Sequence, residues 1–181
     1  MDAALKVELP LTESAARAFH AGDEVLLSGV VYTARDAAHR RFIEALDAGS
    51  GLPFPLNGAT LYYTGPAPAA PGHIIGPAGP TTSYRMDAAT PRLLSLGLRG
   101  MIGKGNRSPA VIDAMKQYGA VYFCAIGGAG ALLAECVTGC DVAAYSDLGT
   151  EAVRRLVVSE FPVIVAIDSR GNDLYANRIN A

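Results

Sequence analysis

Three short segments concentrate residue types that bind anions or move protons. The first is Tyr32-Thr33-Ala34-Arg35-Asp36-Ala37-Ala38-His39, where a β-branched, apolar run gives way to a helical pattern. Residues at such a junction project into the crevice at the carboxyl end of a strand, where open α/β sheets bind ligands. Helix-start amides and Arg35 both favour an anion there. His39 lies one turn into the helix, within reach of Arg35 or Asp36. The structural alternative makes Asp36 an ordinary N-cap and His39 a surface residue. The second segment runs from Gly76 to Asp87. Gly76-Pro77-Ala78-Gly79-Pro80 fixes an unusual backbone, Thr81-Thr82-Ser83 offers three hydroxyls, and Arg85 adds a planar fork. Such a loop suits a carboxylate or phosphate; its alternative is a rigid connector whose hydroxyls cap the next helix. The third segment, Gly103-Lys104-Gly105-Asn106-Arg107, lacks the leading glycine and the Ser or Thr of a phosphate loop. Lys104 is better read as a second anchor for a dianion. Arg35, Arg85 and Lys104, with Arg107 as a further candidate, face few acids in the neighbouring sequence, and that pattern fits a small dicarboxylate.

The remaining chemistry is sparse. Cys124, Cys136 and Cys140 form neither a disulfide framework nor a tight Cys-x-x-Cys pair. Three thiolates can hold a cluster with an open iron, but Cys124 falls in an apolar strand and the other two follow a helix, so a structural role is expected. Gly127-Gly128-Ala129-Gly130 after a strand is a weak phosphate-loop candidate, and a tight strand-to-helix turn is the simpler reading.

The elements that must position these residues alternate. Strands are expected at Glu24–Tyr32, Thr60–Thr64, His73–Ile75, Leu98–Ile102 and Ala120–Ile126. Two more are expected around Pro162, at Leu156–Val158 and Val163–Asp168, with a last one near Leu174 after a turn at Gly171-Asn172. Helices are expected from Asp36 to about Ala48, from Thr90-Pro91 to Gly97, from Ser108-Pro109 to Gly119, and over Ala129–Val137. Alternation in the middle and short strands at both ends give an α/β class with a mixed sheet or a second small sheet. A single domain spanning 1–181 is expected. Half of the residues are hydrophobic and only 18% are charged, a hint of apolar surface covered by a partner. The net charge of −2 and the lack of a basic stripe argue against nucleic acid. The longest apolar stretch, Tyr118–Ala134, is broken by glycines, so no membrane span is expected. Met1-Asp2-Ala3-Ala4-Leu5 lacks the apolar region of a signal peptide, and the expected location is cytoplasmic, with reduced thiols.

Taken in order, the three segments resemble the beta-type half of the class I iron–sulfur fumarate hydratases and L(+)-tartrate dehydratases. The resemblance continues through Tyr62–Pro66, Tyr118–Phe123, Gly127-Gly128, Asp147-Leu148-Gly149, Glu151-Ala152, Phe161-Pro162 and Gly171–Tyr175, and so covers nearly the whole chain. The Thr-Ala-Arg-Asp-Ala-Ala-His and Gly-Pro-Thr-Thr-x-x-Arg-Met-Asp runs are specific; Gly-Lys-Gly alone is not. The resemblance implies a swivelling β/β/α domain. It implies an alpha-type hydratase subunit as partner, giving a hetero-oligomer, or a homodimer when the chain is isolated. A start at Met1 just before the pattern suggests the separate-subunit arrangement. The implied cofactor is a 4Fe-4S cluster held by three cysteines of the alpha-type part, with none bound by this chain. The implied reaction is reversible hydration of a carbon–carbon double bond, fumarate to L-malate, or the corresponding dehydration of tartrate. A non-catalytic anion-binding domain is the alternative of another class. By resemblance Arg35, Arg85 and Lys104 grip the substrate carboxylates, and Thr81 and Thr82 lie beside the reacting carbons. Asp36 and Thr81 are the competing proton-transfer candidates: a threonine needs its alkoxide stabilised, and an aspartate beside Arg35 is a weak base.

Overall fold

The computed structural model describes residues 4–125 and 128–177. Seven strands form one mixed sheet: β1 (Leu5–Glu8), β2 (Glu24–Thr33), β3 (Thr60–Tyr62), β4 (Gly100–Gly103), β5 (Val121–Cys124), β6 (Val137–Ala144) and β7 (Val153–Ile167). Their order is β1-β2-β3-β4-β5-β7-β6. Neighbours from β1 to β5 are parallel, whereas β7 runs antiparallel to β2, β5 and β6. Because β7 pairs with both β2 and β5, strands β2 to β5 close into a ring through it. The class is α/β with a mixed sheet, as the sequence implies. No helix among the described residues is long and apolar enough to cross a membrane.

Side chains alternate across the ring with period two. Leu61 and Tyr63, Met101 and Tyr122 face the helices α2 (Asp36–Asp47), α3 (Thr90–Ser95) and α4 (Pro109–Tyr118), where they meet Phe42, Leu93, Leu94 and Met115. Tyr62, Ile102 and Phe123 face the other way, into a core shared with Leu27, Val31, Leu156 and Val165. Each such buried side chain contributes roughly 1.5–3 kcal/mol. The two cores separate the layers, one between strands and one between strands and helices.

β7 departs from expectation. Two strands split around Pro162 are in fact one strand of 15 residues. Pairing with β2 shifts between Leu27–Phe161 and Gly29–Val158, so Ser28 faces both Ser159 and Glu160. This bulge bends β7 without breaking it. Glu160 takes a positive φ of 50°, and its amide donates to Ser28 Oγ at 3.0 Å. The bend lets the first half of β7 lie beside β6 and the second half reach β5.

Other expectations also shift. His73–Ile75 is loop: Gly65 to Gly76 form a connection closed at its base by Ala67 N donating to Pro77 O at 3.0 Å, with residues 67–74 exposed. A Cβ on Gly76 would lie 2.4 Å from the Ala67 carbonyl oxygen, so the close return of the chain onto residue 67 needs a glycine there. The helix after Ala129 is α5 (Gly130–Glu135), and Val137 begins β6 instead; Leu174 opens the short α6 (Leu174–Asn177), not a strand. β1, β6 and α1 (Glu13–Ala18) complete the set. Ile126 and Gly127, the end of the expected strand and the start of the glycine-rich turn, lie outside the described residues.

Gly103 ends β4 under the candidate site. A Cβ there would sit 2.0 Å from Ser83 Oγ and 3.0 Å from Tyr63 Cδ2. Gly103→Ala should destabilise the chain by about 1–3 kcal/mol through overpacking, read as a lower urea midpoint at unchanged m-value.

Candidate anion-binding site

The carboxyl ends of β2, β3 and β4 lie along one edge of the parallel strands; the first and third sequence segments emerge there, and the second returns to it where Thr81 meets Tyr63. β2 is pinned at its end: Thr33 Oγ1 donates to Ala152 O at 3.2 Å and accepts from Arg154 N at 2.9 Å. Ala34 and Ala38 are fully packed against the helix-side core, which explains the small residues flanking Arg35 and Asp36.

Arg35 occupies the N-cap position of α2 in extended conformation. Its side chain crosses Gly65, where a Cβ would come within 2.9 Å of Nη1 and 3.2 Å of the Thr150 carbonyl oxygen. Its Nη2 lies 3.6 Å from Glu151 Oε1. Glu151 also accepts from the Ala37 amide at 2.9 Å. The cap of α2 is therefore Glu151, and not Asp36 as expected. Asp36 is the first residue of the helix, and its carboxylate turns outward to a different partner. Arg85 Nη2 donates to Asp36 Oδ2 at 2.5 Å, while Arg35 Nε stands 3.9 Å from the same oxygen. The expectation of few nearby acids is thus corrected: Asp36 and Glu151 stand among the cations. The Asp36 and Arg85 side chains are 34% and 37% exposed, so their attraction is worth at most about 1 kcal/mol.

Arg85 belongs to a 3-10 turn, Ser83–Met86, that is tied to the Lys104 loop. Thr82 and Lys104 pair as an isolated parallel bridge, and Ser83 N donates to Lys104 O at 2.9 Å. Ser83 Oγ bonds the Tyr122 hydroxyl at 2.8 Å, which donates to Gly105 O at 2.9 Å. Thr81 N donates to Tyr63 O at 2.6 Å, fixing the hydroxyl pair to the end of β3. Thr64 Oγ1 and Tyr62 Oη donate to the carbonyls of Gly79 and Ala78. The structure so brings Thr82 to Lys104 and Asp36 to Arg85, with Arg35 beside Asp36. A cleft of about 590 Å³ opens next to them, lined by Asp36, His39, Arg85, Met86 and Arg92 among others.

Arg107 is corrected from anion ligand to structural residue. Its side chain is fully buried. Nε donates to Asp87 Oδ1 at 2.7 Å and Nη2 to Thr90 Oγ1 at 2.9 Å, and the guanidinium lies 5.3 and 5.0 Å from the ring centroids of Tyr63 and Tyr122. Asp87 Oδ2 accepts from Ser108 N at 2.6 Å. Removing one partner of such a pair costs about 3–5 kcal/mol. Thr90 is not a helix cap: its hydroxyl donates to Met86 O at 2.8 Å, and Ala89 takes the cap position.

His39 is neither a surface residue nor a side-chain partner of Arg35 or Asp36. Its ring is 3% exposed, and Nδ1 bonds the Arg35 carbonyl at 2.8 Å. A carbonyl only accepts, so Nδ1 carries the proton and Nε2, which is buried without a partner, is the bare nitrogen. Burial lowers its pKa to about 4; the Arg35 carbonyl opposes this, the Arg107 charge adds to it, and Asp36 opposes it. The cysteines do not gather: Cys124 is on β5, Cys136 follows α5 and Cys140 is on β6, each half-buried. Burial pushes the Cys136 and Cys140 thiols up, against thiolate formation. Glu151 and Asp87 were missed as site residues. Glu151 acts 114 residues away from Ala37, beyond any local pattern, and its only trace is the Glu151-Ala152 pair in the family resemblance.

Fold and site together define an α/β domain that carries arginine, lysine and threonine residues along one sheet edge. A family model described as the fumarase C-terminus matches residues 2–178. "Fumarate hydratase 2" of Leishmania major is 38% identical over 160 residues, 87% of this chain and 28% of its own length. "Fumarate hydratase class I, aerobic" of Escherichia coli K12 is 38% identical over 151 residues, 82% of this chain and 28% of its own. "Putative L(+)-tartrate dehydratase subunit beta" of Methanocaldococcus jannaschii is 39% identical over 171 residues, 91% of this chain and 88% of its own. The chain belongs to the fumarase C-terminus family. It spans little more than a quarter of the length of those two fumarate hydratases.

The His39 assignment has a pH signature. Its folded pKa is depressed from 6.5 to about 4, so the unfolded chain takes up the proton first as pH falls. Stability is unaffected above about 6.5 and falls between about 6.5 and 4, by up to about 1.4 kcal/mol per pH unit. His39→Gln, which keeps a donor for the Arg35 carbonyl, should flatten that slope in urea unfolding measured across the window.

Proposed function

We propose that this chain is the beta-type half of an iron–sulfur hydro-lyase that hydrates fumarate reversibly to L-malate together with a cluster-bearing alpha-type subunit. The reading is supported by two pairings in a chain of the fumarase C-terminus family: Arg35 and Arg85 both flank Asp36, and Lys104 is bridged to Thr82, the residue after Thr81. Guanidinium forks and an ammonium are suited to the two carboxylates of a four-carbon acid. Hydration adds a hydroxyl to one carbon and a proton to its neighbour, so beyond gripping the carboxylates the site must move one proton. Thr81, held by its amide on the Tyr63 carbonyl at the end of β3 and followed by the residue bridged to Lys104, is the proposed proton-transfer group, a role in which a nearby cation would stabilise the alkoxide. Asp36, engaged by Arg85, is the positioning group.

This chain's residues do not fit an iron–sulfur cluster: its three thiols are scattered, and two are pushed toward the protonated form. The 4Fe-4S cluster is assigned to the alpha-type subunit. A tartrate dehydratase beta subunit is the second reading, favoured by the match over 88% of the length of the relative so named. Steady-state rates on fumarate, malate and tartrate with both subunits present decide between the two. Activity in this chain alone, or a stable cluster after its anaerobic reconstitution, would overturn the division of roles.

Two substitutions probe the site in the assembled enzyme. Arg85→Lys keeps the charge but loses the fork, so kcat/KM should fall roughly ten- to hundredfold, about 1.5–3 kcal/mol. Thr81→Val should lower kcat by about a hundredfold or more with KM little changed, and Asp36→Asn should be milder. Deuterium exchange into malate at C3 is the sharper measure; wild-type exchange in Thr81→Val, with none in Asp36→Asn, would swap the two roles.

A further inference from the structure

Two arginines hold one carboxylate unequally. Arg85 Nη2 donates to Asp36 Oδ2 at 2.5 Å. Arg35 Nε stands 3.9 Å from the same oxygen, beyond hydrogen-bonding range, and is buried with no partner. A buried donor left unmade is rare in native proteins because it forfeits its hydration for nothing. Arg35 itself has little room to correct this. Its side chain lies across Gly65, its Nη2 faces Glu151, and its carbonyl is tied to the buried His39 ring. Asp36 is the free member: it sits in the first turn of α2 and its carboxylate is partly exposed. A displacement of about 1 Å brings its oxygen into hydrogen-bonding range of Arg35 Nε.

We propose that Asp36 is the resident occupant of the Arg85 anion subsite, and that a ligand carboxylate reaching Arg85 hands Asp36 over to Arg35 Nε. The inference rests on the dicarboxylate reading above and deepens it. Ligand and Asp36 present the same chemical group to the same fork, so they compete for it. The handover replaces the bond that Asp36 loses with one to a donor that had none, which limits what the ligand must displace. Arg85 is thereby kept oriented and charge-paired while empty, and Asp36 becomes a positioning residue whose place reports occupancy. No bond is made or broken beyond these hydrogen bonds.

The exchange is testable without a ligand. In the full chain, Arg85→Ala removes the stronger partner. A crystal structure of this variant should show Asp36 Oδ2 within about 3.2 Å of Arg35 Nε, and NMR should show slowed solvent exchange of that Nε–H. Asp36 turned to solvent would overturn the proposal whatever the chain binds. Titration with succinate by calorimetry supplies the second arm. Asp36→Ala should bind succinate about two- to fivefold more tightly than the wild type, because the internal competitor is gone. Equal or weaker binding would overturn the handover while leaving the dicarboxylate reading in place. No binding by either form, alone or with the alpha-type subunit present, would refute the dicarboxylate reading, and the ligand half of the proposal with it.

Discussion

The Arg107 guanidinium carries a permanent charge into the core beneath the sheet edge, and the loops above are arranged around it. A charge so placed must be paired and hydrogen-bonded. Asp87 supplies the countercharge, Thr90 an acceptor, and Tyr63 and Tyr122 their ring faces. Asp87 comes from the segment that carries Arg85, and Arg107 from the segment that carries Lys104. One buried ion pair therefore joins the two loops, and the Thr82–Lys104 bridge and the Ser83–Tyr122–Gly105 bonds extend the join outward. The exposed cations inherit their places from a buried one.

The Arg35 side is fixed by a second long-range device. Glu151 caps α2 and faces Arg35 with the same carboxylate, so the helix start and the arginine answer to a single group. The 3-10 segment Ser146–Glu151 that supplies it is anchored to α2 through Asp147 and Arg41, with the Arg41 guanidinium lying over the Tyr145 ring. Since β7 begins directly after this segment, the strand that closes the ring also delivers the cap.

Where structure is local, the sequence was a good guide. Ser108-Pro109 and Gly119 bound α4 as expected: Ser108 accepts from Val111 N, and Gly119 adopts a left-handed φ of 64°. The limits of α2 and the places of Arg35 and Lys104 just past strand ends were legible for the same reason. β6 was not, because its pattern of exposed and half-buried residues with Gly139 and Asp141 lacks a clear apolar alternation. The continuity of β7 was hidden because Pro162 signals a break, whereas tertiary pairing with Ser28 absorbs the bend two residues earlier. Arg107 looked like a ligand because its charge is visible in sequence and the rings that enclose it, from the residue after β3 and from β5, are not. Asp36 looked like a cap because its spacing is right for one; a distant glutamate took that place.

The loop from Gly65 to Gly76 has its base closed by the Ala67–Pro77 hydrogen bond, and its outer residues are exposed. Doubling the length of a flexible loop costs only about 0.6 kcal/mol in closure entropy, and here Thr64 and Ala78 remain fastened on the inner side of that bond. The arch is thus tied off at its base, and its outer residues line a separate cleft with α5 and the start of β6. It is the place where the chain can accept an added epitope, a fluorophore or a tether without disturbing the residues beneath.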